Sequence, residues 1–507
     1  MGRDPLLRFP PFTVDARRHV LMREGDDVAL SPHLVDILTF LAQRAGQIVS
    51  KDALLEAFWP EVHVTENTLT RAIADIRKAL GDDPSEPRFI QTVARRGYRF
   101  VATFEASPES VRDVSAGGTT PQGGHDATLD VDDPFREWVR GRLSLETLDA
   151  TKLPAAVTAF EHAVAATPEY APAHAGLANA FLLTYESTRA QNAPNREPLT
   201  LAVRCARRAC ELDPAFGEAW ATLGFALTAA GQGEEARAAA RRAAALEPTN
   251  WRHHFRLGVA SWGEERLRAV DRTMALLPNF APGRFLAAMV FIARQAFEPA
   301  MVAAAQGSAA QARELDSDGV PFPSAGLHWL HGLLLLRMRQ VGPAITEFGR
   351  EIDAARHGRI YASEFRVNAQ LAAGFAHLSV DDATGAMEAF RSALETLPRN
   401  GRALIGLYQA LTKTSLAPEA RLLLPRIDEV IAELGGGGRP GEAALISAAS
   451  LAARGDLEAG CGVLNRLLDA APPGQAGWLI SIDPSLTPLR TAAGFDDLIA
   501  KLAARAA

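Results

Sequence analysis

Hydrophobic and polar positions change rhythm near residue 31 and again near residue 135. Before the first point, short stretches alternate: Phe12-Thr13-Val14, His19-Val20-Leu21 and Val28-Ala29-Leu30, punctuated by Asp15, Gly25 and Asp26-Asp27. A period of two predicts two or three small antiparallel strands. Ser31-Pro32 then opens a helix, with serine as N-cap and proline at the first position. Its apolar stripe is Leu34, Ile37, Leu38 and Leu41, and it stops before Gly46. Ser50 caps a second, short helix carrying Leu54, Leu55 and Phe58, which ends at Trp59-Pro60. After a loop at Glu61-Val62-His63-Val64, a third helix runs from Thr65 or Glu66 to Leu80-Gly81. Leu69, Ile73, Ile76 and Leu80 step by four, three and four, which defines one buried face. Asp82-Asp83-Pro84 breaks this helix, and Phe89–Val93 and Tyr98–Val101 form a hairpin around Ala94-Arg95-Arg96-Gly97.

Residues 106–134 lose all periodicity. They are rich in Ser, Gly, Thr, Pro and Asp, with six acidic residues against one basic residue, Arg112. This composition predicts a disordered acidic tether, spanning roughly 30 Å root-mean-square if fully flexible. The expected division is therefore a small α+β domain over 1–104, a linker over 105–134 and a helical domain over 135–507.

From about residue 135 the pattern is helical to the end. Trp220, Leu223, Gly224 and Leu227, followed by Ala236, Ala240, Ala243 and Pro248, have the tetratricopeptide spacing. Gly374, Ala386, Phe390, Ala393 and Pro398 repeat it, and Ala156, Phe160, Ala163 and Pro168 fit the second helix of a first copy. Small residues such as Gly224 and Ala236 let paired helices approach closely. Phe160 and Phe390 fill the gap toward the next copy, and Pro248 and Pro398 end the second helix. About nine helix pairs are expected, with insertions at 184–200 and 305–324, a glycine loop at 435–438 and a C-terminal cap near 478–503. The fold class is mixed: a small α+β winged-helix domain followed by an all-α solenoid, in which the stack rather than any single repeat is stable.

The third helix has a face to spare. Thr70, Arg71, Ala74, Asp75 and Lys78 lie opposite its apolar stripe, with Arg77 at the flank. Ala74 is small enough for close approach to a major groove, and Thr70 and Arg71 stand where base edges are read. Asn67 and Thr68 at the helix start suit phosphate, as does Lys51, and Arg95 and Arg96 at the hairpin tip suit an adjacent minor groove or its phosphates. Asp75 is placed to accept from a cytosine amino group or to pair with Arg71. Seven basic and four acidic residues lie between Arg71 and Arg99, against seven and ten over residues 1–70. The basic excess thus falls where the groove should be, although the whole chain carries a formal charge of -7.

Three cysteines, Cys205, Cys210 and Cys461, argue for free thiols in a reducing compartment. No apolar run approaches the roughly 20 residues of a membrane span, so the expectation is a cytoplasmic protein without a membrane segment. Its Ala- and Arg-rich usage suits a GC-rich bacterial genome. His328 and His331 have metal-binding spacing, but no carboxylate stands beside them in sequence, so neither metal nor cofactor is expected. No nucleophile elbow, HExxH or paired-carboxylate motif appears, and the chain does not read as an enzyme. The inner, first-helix surface of the repeats includes Asn179, Phe225, Asn368, Phe375, Arg402 and Gln409, the candidates for partner binding.

Residues 9–104 resemble the OmpR/PhoB-type winged-helix domain. The resemblance rests on Leu30-Ser31-Pro32, Val49–Leu55, Phe58-Trp59-Pro60, Glu66-Asn67-Thr68-Leu69, Ile76–Asp82 and Thr92–Phe100. It implies that the third helix is the recognition helix, that promoter DNA is the ligand, bound as two copies on a direct repeat, and that the loop around Trp59–Val64 can touch RNA polymerase. No receiver domain precedes it in this sequence. The arrangement resembles soluble regulators of the HilA-like type, with input through the repeats in place of a phosphorelay. The repeats would take a protein or a small effector, or mediate homodimer formation. The competing reading is a repeat scaffold whose winged helix contacts protein.

Overall fold

The computed structural model describes residues 6–15, 20–28, 30, 32–58, 66–93, 96–104, 134–146, 148–191, 194–315, 324–355, 359–472, 474 and 476–507. The expected tether, the Trp59–Val64 loop and the hairpin tip at Ala94 and Arg95 lie outside the described residues.

Four strands open the chain: β1 (Leu6–Phe9), β2 (Phe12–Asp15), β3 (Val20–Arg23) and β4 (Asp26–Val28). They form an antiparallel meander in sequence order. Its first strand, Leu6–Phe9, lies upstream of the alternation read from sequence. Phe9, Phe12, Val14 and Leu21 are buried beneath it.

Three helices follow, α1 (Pro32–Gln43), α2 (Lys51–Phe58) and α3 (Glu66–Leu80). The Ser50 Oγ accepts from the Ala53 amide at 3.0 Å, the expected cap. A second sheet has the order β5 (Ile48–Val49), β7 (Gly97–Phe100), β6 (Ile90–Val93). A two-residue strand before α2 therefore backs the C-terminal hairpin. Gly97 sits at φ +138, and a Cβ there would come within 1.9 Å of the Val49 carbonyl oxygen. Only glycine allows β7 to lie this close to β5.

The remainder is helical, and nine pairs can be counted among the described residues. They are α4 (Pro134–Glu146) with α5 (Leu153–Ala166), α6 (Ala171–Glu186) with α7 (Glu197–Leu212), and α8 (Gly217–Ala229) with α9 (Gly233–Leu246). Then come α10 (Trp251–Ala260) with α11 (Gly263–Leu276), α12 (Ala281–Ala293) with α13 (Phe297–Leu315), and α14 (Leu327–Arg337) with α15 (Val341–Ala354). The last are α16 (Ala362–Ser379) with α17 (Ala383–Thr396), α18 (Gly401–Thr412) with α20 (Leu423–Gly436) after the single turn α19 (Ala417–Ala420), and α21 (Pro440–Ala453) with α22 (Leu457–Ala470). A 3-10 segment (Pro484–Thr491) and α23 (Phe495–Ala504) close the chain. Gly435 and Gly436, expected in a loop, complete the last turn of α20. None of the described helices is long and apolar enough to cross a membrane.

The expected packing logic is present. A Cβ on Gly224 would lie 2.9 Å from the Ala236 carbonyl oxygen. The Phe390 ring is fully buried between Gly374 of its own pair and Gly406 of the next, where added Cβ atoms would fall at 2.6 and 2.3 Å.

By its contacts the chain divides into two compact units. One comprises residues 1–144, 155–176 and 212–216, and the other 145–154, 177–211 and 217–507. The second holds contacts between pairs far apart in sequence. Arg189, after α6, donates to both carboxylate oxygens of Glu364 on α16, at 2.9 and 3.3 Å, and to Glu186 at 2.9 Å. The Ile360 amide donates to the Leu148 carbonyl oxygen at 2.7 Å.

Candidate DNA-binding surface

Helix α3 buries Leu69, Ala72, Ile73, Ile76 and Leu80 against the domain core. Thr70, Ala74 and Lys78 follow one another at i, i+4 and i+8 on the opposite side, all exposed, with exposed Asp75 beside them. Asn67, Thr68 and Arg71 lie on the same helix, but their side chains lie outside the described residues, as does all of Arg95. Arg96 is exposed where the hairpin turns, its amide donating to the Val93 carbonyl oxygen at 3.0 Å. Lys51 is half-buried at the start of α2.

Arg77, expected at the flank of α3 as a DNA-binding candidate, is half-buried and bonded to the hairpin. Its guanidinium donates to the Ile90 carbonyl oxygen and to the Thr92 hydroxyl, both at 2.8 Å. It ties α3 to the hairpin. Asp82 does similar work, which the sequence reading treated only as a helix break. Its carboxylate is buried and accepts from the amides of Arg88 at 2.7 Å, Phe89 at 3.2 Å and Ile90 at 2.8 Å. No local sequence signal marked this role, because the amides it collects lie six to eight residues further along. Together Arg77 and Asp82 set the hairpin beside an exposed stripe of small, polar and basic residues.

The inner-face candidates of the repeats fall into two groups. Asn179 and Phe225 belong to a polar cluster on α6, α8 and α10. Arg256 donates to Glu218 at 2.7 Å, to the Thr222 hydroxyl at 3.1 Å and to the Asn179 carbonyl oxygen at 3.1 Å. Its guanidinium lies 6.0 Å from the Phe225 ring centre. Burial disfavours the Glu218 carboxylate, but Arg256, His253 and Arg252 outweigh it and hold its pKa at about 2. Asn368, Phe375 and Arg402 lie under the chain's own C-terminal segment. The 3-10 segment packs across α14, α16 and α18, Asp483 pairs with Arg402 at 3.2 Å, and Phe375 is buried edge-on against Phe390. Gln409 is half-buried on α18.

A carboxylate does stand beside the two histidines, contrary to the sequence expectation. Glu347 Oε2 lies 2.7 Å from His328 Nδ1 and 3.5 Å from His331 Nδ1, brought there by the α14–α15 pairing. Among the described residues no three His, Cys, Asp or Glu side chains are grouped to hold a metal ion. Cys205, Cys210 and Cys461 are buried free thiols, and burial pushes Cys210 up to about 12.

A four-stranded meander, three helices and a hairpin braced against the third helix define the winged-helix class of DNA-binding domain. Residues 25–100 match the family described as transcriptional regulatory protein, C terminal. The transcriptional activator CadC of Escherichia coli is 34% identical over 100 residues, 20% of this chain and 20% of that protein. The regulator HilA of Salmonella typhimurium is 40% identical over 80 residues, 16% of this chain and 14% of that one. Among solved structures, the Klebsiella pneumoniae RstA DNA-binding domain in complex with RstA box is 36% identical, covering 19% of this chain and 98% of that one at a TM-score of 0.18. Yeast Tom70 is 13% identical, covering 73% of this chain and 92% of that one at a TM-score of 0.35. The N-terminal domain of this chain is thus similar to the OmpR/PhoB-type winged-helix domain. It spans only a fifth of the length of CadC and less of HilA.

Proposed function

We propose that the protein is a sequence-specific, promoter-binding transcription regulator of the cytoplasm, without catalytic activity, whose helical repeats sense or recruit a partner. The observation that carries this is the exposed Thr70, Ala74 and Lys78 stripe of α3 beside Arg96, with Arg77 holding the two elements together. In this reading Thr70, Arg71 and Ala74 meet base edges. Lys51, Asn67, Thr68, Lys78, Arg95 and Arg96 meet phosphate or the minor groove, and Arg77 positions the hairpin. The loop around Trp59–Val64 touches RNA polymerase, and two copies occupy a direct repeat. Asn179, Phe225 and Gln409 are the proposed partner residues, with Asn368, Phe375 and Arg402 contributing where the C-terminal segment leaves them reachable. The partner is a protein, a small effector or a second copy.

The test is a gel shift on promoter fragments recovered by genome-wide mapping of bound DNA. Affinity should fall steeply with salt, since several phosphates are neutralised. Arg71→Ala should erase about 1–3 kcal/mol of discrimination between right and wrong base pairs. Arg96→Ala should weaken all sequences alike and shallow the salt slope by about 1. No protected site, with binding to a protein instead, would establish the scaffold reading.

A further inference from the structure

Eight consecutive residues of α1, Val35–Ala42, are all buried. At 3.6 residues per turn, eight positions cover every side of a helix. The outer side of α1 is therefore enclosed, as well as the side packed on α3 and β7. Two of the eight are polar. Thr39 turns its hydroxyl onto the Val35 carbonyl oxygen at 2.7 Å. Asp36 is 5% exposed and ion-paired to Arg142 of α4 at 3.1 Å. A carboxylate this deeply buried is unfavourable unless paired, and breaking such a pair leaves an uncompensated charge.

Helix α4 is also the opening helix of the first repeat pair. Trp138 donates its indole N–H to the Pro172 carbonyl oxygen at 3.1 Å, and its ring meets Tyr170 edge-on at 6.3 Å. Gly141 lies against the Phe160 ring so closely that a Cβ would sit 2.8 Å away. The Arg142 guanidinium is 5.3 Å from the Trp138 ring centre. Within about one helical turn, α4 touches the next helices through Trp138 and Gly141 and the DNA-binding domain through Arg142. These residues all lie in the first compact unit.

We propose that α4 is a coupling helix: the Asp36–Arg142 pair docks the winged helix on the first repeat pair, so that a shift of α4 changes how the winged helix is held. Its regulatory meaning rests on the DNA-binding reading above. Asp36 lies on α1 and Arg142 on α4, and neither is among the residues proposed to meet DNA, so docking and DNA contact are separable by experiment. A shift in the first repeat pair then reaches the winged helix through packed side chains.

The test is a charge-exchange cycle in the full chain, read by hydrogen exchange of α1 and α4. Asp36→Arg and Arg142→Asp each bring like charges together, and the double variant restores opposite ones. Exchange over residues 35–42 should speed up on the order of tenfold or more in each single variant and recover to within about twofold in the double. Equal exchange in all four proteins, or a double variant as fast as the singles, overturns the docking. Should either reversal misfold, Arg142→Gln supplies the same readout without repulsion, and unchanged exchange there overturns it too. Trp138→Phe keeps a ring but removes the bond to Pro172, and should also speed α1 exchange. An unresponsive α1 overturns the relay. A parallel gel shift with the parent chain separates the two readings: failure to bind promoter DNA defeats the regulator assignment, whereas a flat exchange cycle with intact DNA binding defeats only the coupling helix.

Discussion

Glu218 and Asp82 show how one carboxylate can organise its surroundings here. The Glu218 pKa is held at about 2, below its ordinary 4.5, chiefly by Arg256 working against burial. A depressed folded value means stability that is present above the unfolded pKa and lost as pH falls through the folded one. The melting temperature of the repeats should therefore drop between about pH 4.5 and pH 2, and Glu218→Gln should flatten that part of the profile. Thermal unfolding followed at a series of pH values checks it. Asp82→Ala should leave three backbone amides without their acceptor, destabilising the domain by about 1–3 kcal/mol. Denaturant unfolding measures that loss. Promoter affinity should fall with it, although Asp82 is itself buried. Neither role was legible in the sequence. Asp82 could be seen to end a helix, but its acceptors' partners lie six to eight residues on, in a strand whose register only the fold sets. Glu218 meets Arg256 across two helices 38 residues apart.

At the scale of elements, periodicity carried the long helices and most of the short strands, but missed β1 and β5. The apolar stripe of α3 and the small-residue positions of the pairs at Gly224 and Gly374 were plain, because helix contact demands a repeat in sequence. Strand β5 has two residues, too few for any alternation to register, yet it fixes the hairpin through Gly97. The segment 477–491 reads as a cap and serves as more. Ile480, Ile482, Leu486 and Leu489 are all buried, and Asp483 reaches Arg402. It lies across first helices of several pairs, a placement with no local sequence signature. Ile482→Ala should cost about 2–5 kcal/mol, with faster hydrogen exchange in α16 and α18 as its sign. Gly406→Val should be similarly disruptive, by about 1–3 kcal/mol, because the Phe390 ring already fills that space.

For the whole molecule, the second unit departs from the behaviour of a simple linear array. Repeat stacks are ordinarily sums of neighbour contacts. Here Arg189 grips Glu364, joining the second pair to the seventh, and Arg439 of the ninth bonds to the Gln191 carbonyl oxygen near the second. Burial disfavours the charged form of Glu186 and raises its pKa, while the Arg189 beside it opposes that shift. Arg189→Ala should therefore lower the unfolding midpoint and broaden the transition, as distant pairs cease to unfold together. Scanning calorimetry, comparing calorimetric with van't Hoff enthalpies, detects it. The same bond has a bearing on how such a chain can change length. An open array can lose or duplicate a unit and remain an array. Once the second pair is tied to the seventh, the number of helices between them becomes part of the design, and inserting or deleting one pair would carry Arg189 past its carboxylate.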